Sequence, residues 1–207
     1  MDAVCKYSYR MSAYAELSAR SNFSFLAATA EPERLVTVAA ERGYAAIAVC
    51  DECSFAGVVR ARQGWQALPA DGRPRLILGT RLVLEEGDEL VLLAADRGGY
   101  ATISQLITRG RRAATKGNYR LDRAALLDGL AAGVHVIWQV RAEAEITPEW
   151  LRVATRPWLG VVAWLDGLDG ARAARARHLA ERHDLPITAL GDTLMAEAEE
   201  KPLLDVV

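Results

Sequence analysis

Ala45–Cys50, AAIAVC, is six consecutive residues without a polar side chain, and it ends on a turn that opens with Asp51, Glu52 and Cys53. A strand with one wet face alternates apolar and polar residues, whereas a continuous apolar run is buried on both faces. Such a strand needs helices packed over the sheet, and its neighbours supply them. Before it, EPERLVTVAAERG places Leu35, Val38 and Ala39 at i, i+3 and i+4, with Pro32 in the first turn and Gly43 at the stop. After it, FAGVVRARQGW reads as a second helix.

The same rhythm runs through the chain. YAEL (Tyr14–Leu17) reads as a first strand and RLILG (Arg75–Gly79) as a third. RLVLEEGDELVLLAAD reads as two strands joined by a tight turn at Glu86-Gly87-Asp88. A helix follows in GGYATISQLITRGRRAA, with Ile103, Leu106 and Ile107 on one side, and a short one in LDRAALLDGL. VHVIWQV, WLGVVAWL and LPITALGD supply later strands, with helices predicted at TPEWLRVAT and GARAARARHLAERH. Strands alternating with helices predict an α/β fold with a largely parallel sheet; rhythm alone allows a doubly wound sheet or a barrel. No internal repeat or interdomain linker interrupts the pattern.

Composition narrows the class. The 207 residues are 51% hydrophobic and 25% charged, which excludes a disordered chain and fits one domain or two small ones. A net charge of −2 gives the whole chain no strong pull on nucleic acid. There is no apolar run of about 18 residues to span a membrane, and MDAVCKYSYRMSAY lacks an apolar signal core, so a cytoplasmic protein is expected. Met11 is an alternative start, with the residues before it an extension. Cys50 and Cys53 form a C-x-x-C pair with no second pair to complete a zinc site. A reduced protein with a half-buried Cys50 is the plain reading, and a redox pair the alternative.

In both architectures the strand C-terminal ends gather on one face, where function usually sits. That singles out Ser18 and Arg20 after the first strand, Asp51 and Glu52 after the second, Arg81 beyond the third and Asp192 after the last.

ELSARSNFSFL, GYAAIAVCDECSFAGVVRAR, LILGTRLVL, LVLLAADRGGYATISQLITRGRRAATKGNYRL and LPITALGDTLM, in this order and spacing, resemble the N-terminal PHP (polymerase and histidinol phosphatase) domain of bacterial error-prone C-family DNA polymerases. The resemblance covers most of the chain. It implies a distorted (β/α)7 TIM-like barrel, its completeness left open, with a PHP domain over 14–195. Residues 1–13 would be an N-terminal extension, and 196–207 the start of a truncated downstream segment. In active members histidines and carboxylates hold a metal cluster that attacks phosphoesters, generating hydroxide and neutralising phosphate oxygens. Here the motifs are degenerate. Ser18-Ala19-Arg20 stands where the family has H-x-H, ahead of Ser21-Asn22-Phe23. Asp51-Glu52 replaces an Asp-His pair, and Gly79-Thr80-Arg81 puts a cation where a Glu belongs. Gly191-Asp192-Thr193-Leu194 keeps only the Asp of G-D-x-H. His135 is the nearest candidate for the family's remaining histidines, and inside a strand it reads as core.

Asp51, Glu52 and Asp192 could still form an oxygen-only site for Mg²⁺ or Mn²⁺. Arg20 and Arg81 share their face, and at about 4 Å and an effective dielectric near 20 each would oppose a divalent ion by roughly 8 kcal/mol. The expectation is therefore no metal or other cofactor and no catalytic residue. Instead, Asp51 and Asp192 should be bonded to Arg20 and Arg81 in an ion-pair network. The expected role is a non-catalytic structural or docking module of a polymerase for damage-tolerant (translesion) synthesis in DNA repair. The polymerase body or other translesion proteins would be partners, with DNA contacted indirectly. A reduced phosphoesterase or 3′-exonuclease is the alternative, and a free-standing module that competes for the polymerase's partners a third.

The stretch from Arg109 to Arg120 carries five arginines and lysines. Arg109, Arg111, Arg112, Lys116 and Tyr119, the last able to stack on a base, are candidate nucleic-acid or partner contacts; a solvated helix end favoured by the dipole is the plainer reading. His178 and His183, five apart on one helix, read as surface residues. Ser54 reads as the cap of a helix starting at Phe55. Trp138, Trp158 and Trp164 read as core, with Trp65 and Trp150 on helices.

Overall fold

The computed structural model describes residues 13–142, 148, 150–151 and 154–206. Seven strands lie side by side in chain order: β1 (Ala15–Ala19), β2 (Ala46–Val49), β3 (Arg75–Val83), β4 (Glu89–Ala94), β5 (Val134–Gln139), β6 (Pro157–Val162) and β7 (Ile187–Leu190). β1, β2 and β3 are parallel, as are β5, β6 and β7, while β4 runs antiparallel to both its neighbours. The sheet curls until its edges meet, where Arg20 N–H donates to the Thr193 carbonyl at 2.8 Å. The result is a nearly closed seven-stranded α/β barrel. The expectation of a largely parallel sheet holds except at β4, which the Glu86-Gly87-Asp88 turn reverses; Gly87 adopts φ +87° there.

Among the described residues six α-helices flank the sheet: α1 (Pro32–Glu41), α2 (Val58–Ala67), α3 (Arg97–Arg112), α4 (Arg123–Gly129), α5 (Asp169–His183) and α6 (Lys201–Leu204). Leu35, Val36 and Ala39 of α1 cover Ile47 and Val49, the outward side chains of β2. Ile103 and Leu106 of α3 join Leu82, Leu90, Leu92 and Trp138 in the largest core cluster. β2 is therefore buried on both faces, as its composition requires.

The barrel interior is layered. At its waist the inward positions are Gly79 and Gly160. A Cβ at Gly79 would stand 2.7 Å from Cys50 Sγ, and one at Gly160 would stand 2.5 Å from Leu190 Cδ1. With Ala48, Val91 and Val162 these small and branched groups close the bore. A polar layer lies above the waist, on the face of the strand C-terminal ends, and a cavity lies below it.

Several local readings are corrected. The second helix starts at Val58, not Phe55, and no side chain caps it; Ser54 Oγ accepts from Ala56 N–H in a turn ahead of it. β1 runs two residues further than expected, so Ser18 lies within it, and β3 runs to Val83, so Arg81 lies inside the strand. Antiparallel pairing with β4 carries the strand on to Val83, and on the other side Arg81 N–H donates to the Asp51 carbonyl and Cys53 N–H to the Arg81 carbonyl. Trp164 is 36% exposed and not core. His183 is buried and not a surface residue, because its helix packs that side onto the barrel, while His178 is exposed. Cys50 is wholly buried, not half-buried. The proposed extension falls, but for its last residue, outside the described residues, as does part of the TPEWLRVAT helix.

Candidate functional site

The strand C-terminal ends bring Arg20, Asp51, Glu52, Arg81 and Asp192 to one face. Reversed β4 adds Glu89 at its start, an acid that the sequence reading missed. The signal was present in the hairpin: a turn at Glu86–Asp88 puts Glu89, the first residue of the returning strand, opposite Val83, diagonal to Arg81 two residues along the same face.

Two ion-pair groups form. Arg20 Nη2 lies 2.9 Å from Asp192 Oδ1, each side chain 11% exposed. Trp164 Nε1–H donates to the other Asp192 oxygen at 3.1 Å, and the Asp192 backbone N–H donates to Ser18 Oγ at 2.8 Å. Arg81 bridges two acids, with Nη1 at 2.8 Å from Glu52 Oε2 and Nη2 at 2.8 Å from Glu89 Oε2. Glu89 is also paired with Arg141, and Glu52 Oε1 accepts from the Tyr119 hydroxyl at 3.0 Å.

Arg20 thus pairs with Asp192, as the sequence implies, but the other half of the expected network is different. Asp51 touches neither arginine. It is 2% exposed and accepts from Ser21 N–H at 2.8 Å, Ser21 Oγ at 2.9 Å and Ser24 Oγ at 2.9 Å. The strand end turns Asp51 toward the β1–α1 loop, whose hydroxyls satisfy it without a cation. Arg81 turns to the hairpin side and meets Glu52 and Glu89. Leu194 contributes only its carbonyl, which accepts from Thr29 N–H at 2.9 Å.

Glu16 is a second missed carboxylate. At 2% exposure it accepts from Ser18 N–H, Ser18 Oγ, Thr193 Oγ1 and Tyr14 Oη at 2.8–3.1 Å. It ties β1 to the segment after β7.

The donor set does not fit a divalent ion. Each surviving acid spends its oxygens on a guanidinium, a hydroxyl or an N–H, and two fixed cations sit among them. Among the described residues no three His, Cys, Asp or Glu side chains converge in a metal-ligating group.

The basic stretch divides. Arg111 points inward, donating to the carbonyls of Cys53 at 3.1 Å and Glu52 at 3.1 Å, and Arg109 pairs with Asp128 at 2.9 Å. Tyr119 donates to Glu52 and accepts from Val83 N–H at 2.8 Å, so its hydroxyl is tied into the fold while its ring is partly buried against the core. Burial, reinforced by Glu52, holds its hydroxyl well above the usual phenol range. Arg112 and Lys116 are exposed. Both described thiols are free; burial pushes Cys50 far up and Cys53, opposed by Arg111, to about 11.

A family model described as "PHP domain" matches residues 16–146, more than half of the chain. The chain is 44% identical over 94% of its length to the error-prone DNA polymerase of Methylococcus capsulatus, and 44% identical over 95% to that of Pseudomonas aeruginosa. It spans only 18% and 19% of those relatives. Among solved structures, a Bifidobacterium adolescentis protein assigned as a metal-dependent phosphoesterase aligns with TM-score 0.60 at 17% identity over 88% of each chain. An amidohydrolase of Chromobacterium violaceum with bound sulfate aligns with TM-score 0.59 at 12% identity, covering 94% of this chain and 96% of that one. The shared architecture is a TIM-like α/β barrel. The chain belongs to the PHP-domain family.

Proposed function

We propose that this chain is the PHP portion of an error-prone DNA polymerase for damage-tolerant synthesis in the cytoplasm, and that it serves as a non-catalytic structural or docking module. The polymerase body would be its partner, with DNA contacted through that body. In this reading the barrel domain covers 14–195, and 196–207 leads toward the downstream segments that the longer relatives contain.

One observation carries the reading. Every carboxylate left at the former metal positions already has hydrogen-bond or ion-pair donors, two of them guanidinium groups that stay charged at any working pH. Such a face clamps strand ends together and has no oxygen set free to ligate an ion. No helix among the described residues is long and apolar enough to cross a membrane.

Metal analysis after dialysis against Mn²⁺ or Zn²⁺ tests the absence of a metal, with nitrophenyl phosphate and 3′-labelled oligonucleotide as substrates for activity. The expected result is less than a tenth of an ion per chain and no turnover. One or more tightly held ions, with turnover lost in Asp51→Asn or Asp192→Asn, would establish the reduced phosphoesterase instead. Co-purification with a separately expressed polymerase body tests docking, and its failure would remove that role.

A further inference from the structure

At the barrel end opposite the ion-pair face, a cavity of about 400 Å³ opens where the parallel strands begin and β4 ends. Its volume lies within the range that holds small ligands. Ile77, Leu93 and Ile137 give it an apolar wall beneath the closed waist, and Arg75, His135 and Trp158 supply polar atoms to its lining. Among the described residues none of those lining it is acidic.

The mouth has an unmatched donor. Trp158 Nε1–H donates to His135 Nδ1 at 3.2 Å, and Arg156, which is outside the lining itself, stands behind His135 with Nη1 3.3 Å from Nε2. Indole and guanidinium only donate, whereas a neutral imidazole offers one acceptor nitrogen and one N–H. With Nδ1 accepting from Trp158, the proton sits on Nε2 and faces another donor. Protonating the ring would not help, since both nitrogens would then face donors. Burial and the Arg156 charge accordingly hold the imidazole below its ordinary pKa. An acceptor at this edge would receive hydrogen bonds from both Arg156 and His135 Nε2–H. An anionic acceptor would also meet the Arg156 and Arg75 charges without an opposing carboxylate from the described lining.

We infer that the N-terminal mouth of the barrel binds a small amphipathic carboxylate, its apolar part on the Ile77–Leu93–Ile137 wall and its carboxylate between Arg156 and His135 Nε2–H. The site is separated from the ion-pair face by the waist at Gly79 and Gly160, so it stands or falls independently of the polymerase reading.

Hexanoate is the probe and 1-hexanol its neutral counterpart, titrated into the full 207-residue chain with ¹⁵N-labelled indoles. Trp158→Phe assigns the relevant signal among the five tryptophans. Hexanoate should shift the Trp158 indole saturably with Kd on the order of 1 mM, as suits so few heavy atoms. Hexanol should bind about tenfold more weakly, and Arg156→Ala should weaken hexanoate by about tenfold, one charge-assisted hydrogen bond's worth. Arg156 is exposed, so this variant should fold, and an otherwise unchanged spectrum checks it. No saturable shift, equal binding of hexanol, or unchanged affinity in Arg156→Ala would each overturn the assignment.

Discussion

Replacing Arg81 with alanine tests whether the cation between Glu52 and Glu89 holds the barrel together. Its side chain is 15% exposed and joins Glu52 on the β2–α2 turn to Glu89 at the start of β4. Removing one partner of a buried ion pair costs about 3–5 kcal/mol, chiefly because a desolvated charge is left behind. Two features reduce that here: Glu52 is 33% exposed, and Arg141 remains on Glu89. The expected loss is therefore ~2–3 kcal/mol. For a chain of this size that corresponds to a Tm lowered by ~4–12 °C. Urea unfolding followed by tryptophan fluorescence gives the free energy directly. Arg81→Lys should recover only part of it, since one ammonium on a flexible stem does not reproduce a rigid two-acid fork. Arg120→Ala, which breaks an exposed pair with Glu85, should leave the midpoint unchanged and serves as the control. If Arg81→Ala shifted the midpoint no more than Arg120→Ala, the clamp would have no energetic content.

Cys50 and Cys53 should resist alkylation in the folded chain. With the Cys53 thiol raised to about 11 by burial, its thiolate fraction at pH 8 is about one in a thousand, and labelling should accelerate as pH rises toward that value. Peptide mapping that found either cysteine alkylated as fast as in urea would refute the burial. In the basic stretch, Arg111→Ala should lower stability in urea, because its guanidinium closes the carbonyls of Glu52 and Cys53. Arg112→Ala with Lys116→Ala should leave stability unchanged and should alter neither the affinity nor the salt dependence of oligonucleotide binding. A salt slope reduced by about one per cation removed would make these residues a DNA contact.

What the sequence disclosed, and what it concealed, follows from the range of each signal. Helix and strand assignments rest on neighbours three or four residues apart, so AAIAVC and the Leu35–Val38–Ala39 face were legible, as were the face holding Asp51 and Asp192 and the cations set among them. Partner choice was not, because it depends on where the chain turns. Asp51 resembles any acid at a strand end, yet a serine-bearing loop from β1 reaches it before an arginine does. Glu89 reads as an ordinary polar residue until β4 is reversed and delivered beside Arg81. Trp164 lies in an apolar run but passes the end of β6, and there its indole N–H bonds to Asp192. The cations have a structural role of their own. A face that keeps its acids without its histidines would leave like charges crowded on strand ends. Arg20 and Arg81 neutralise that repulsion and cross-link the barrel across β1–β7 and β2–β4. Because both guanidinium groups sit in the clamp, replacing Arg20 and Arg81 with metal-ligating histidines should unfasten the barrel, read as a lower urea midpoint, whether or not an ion then binds.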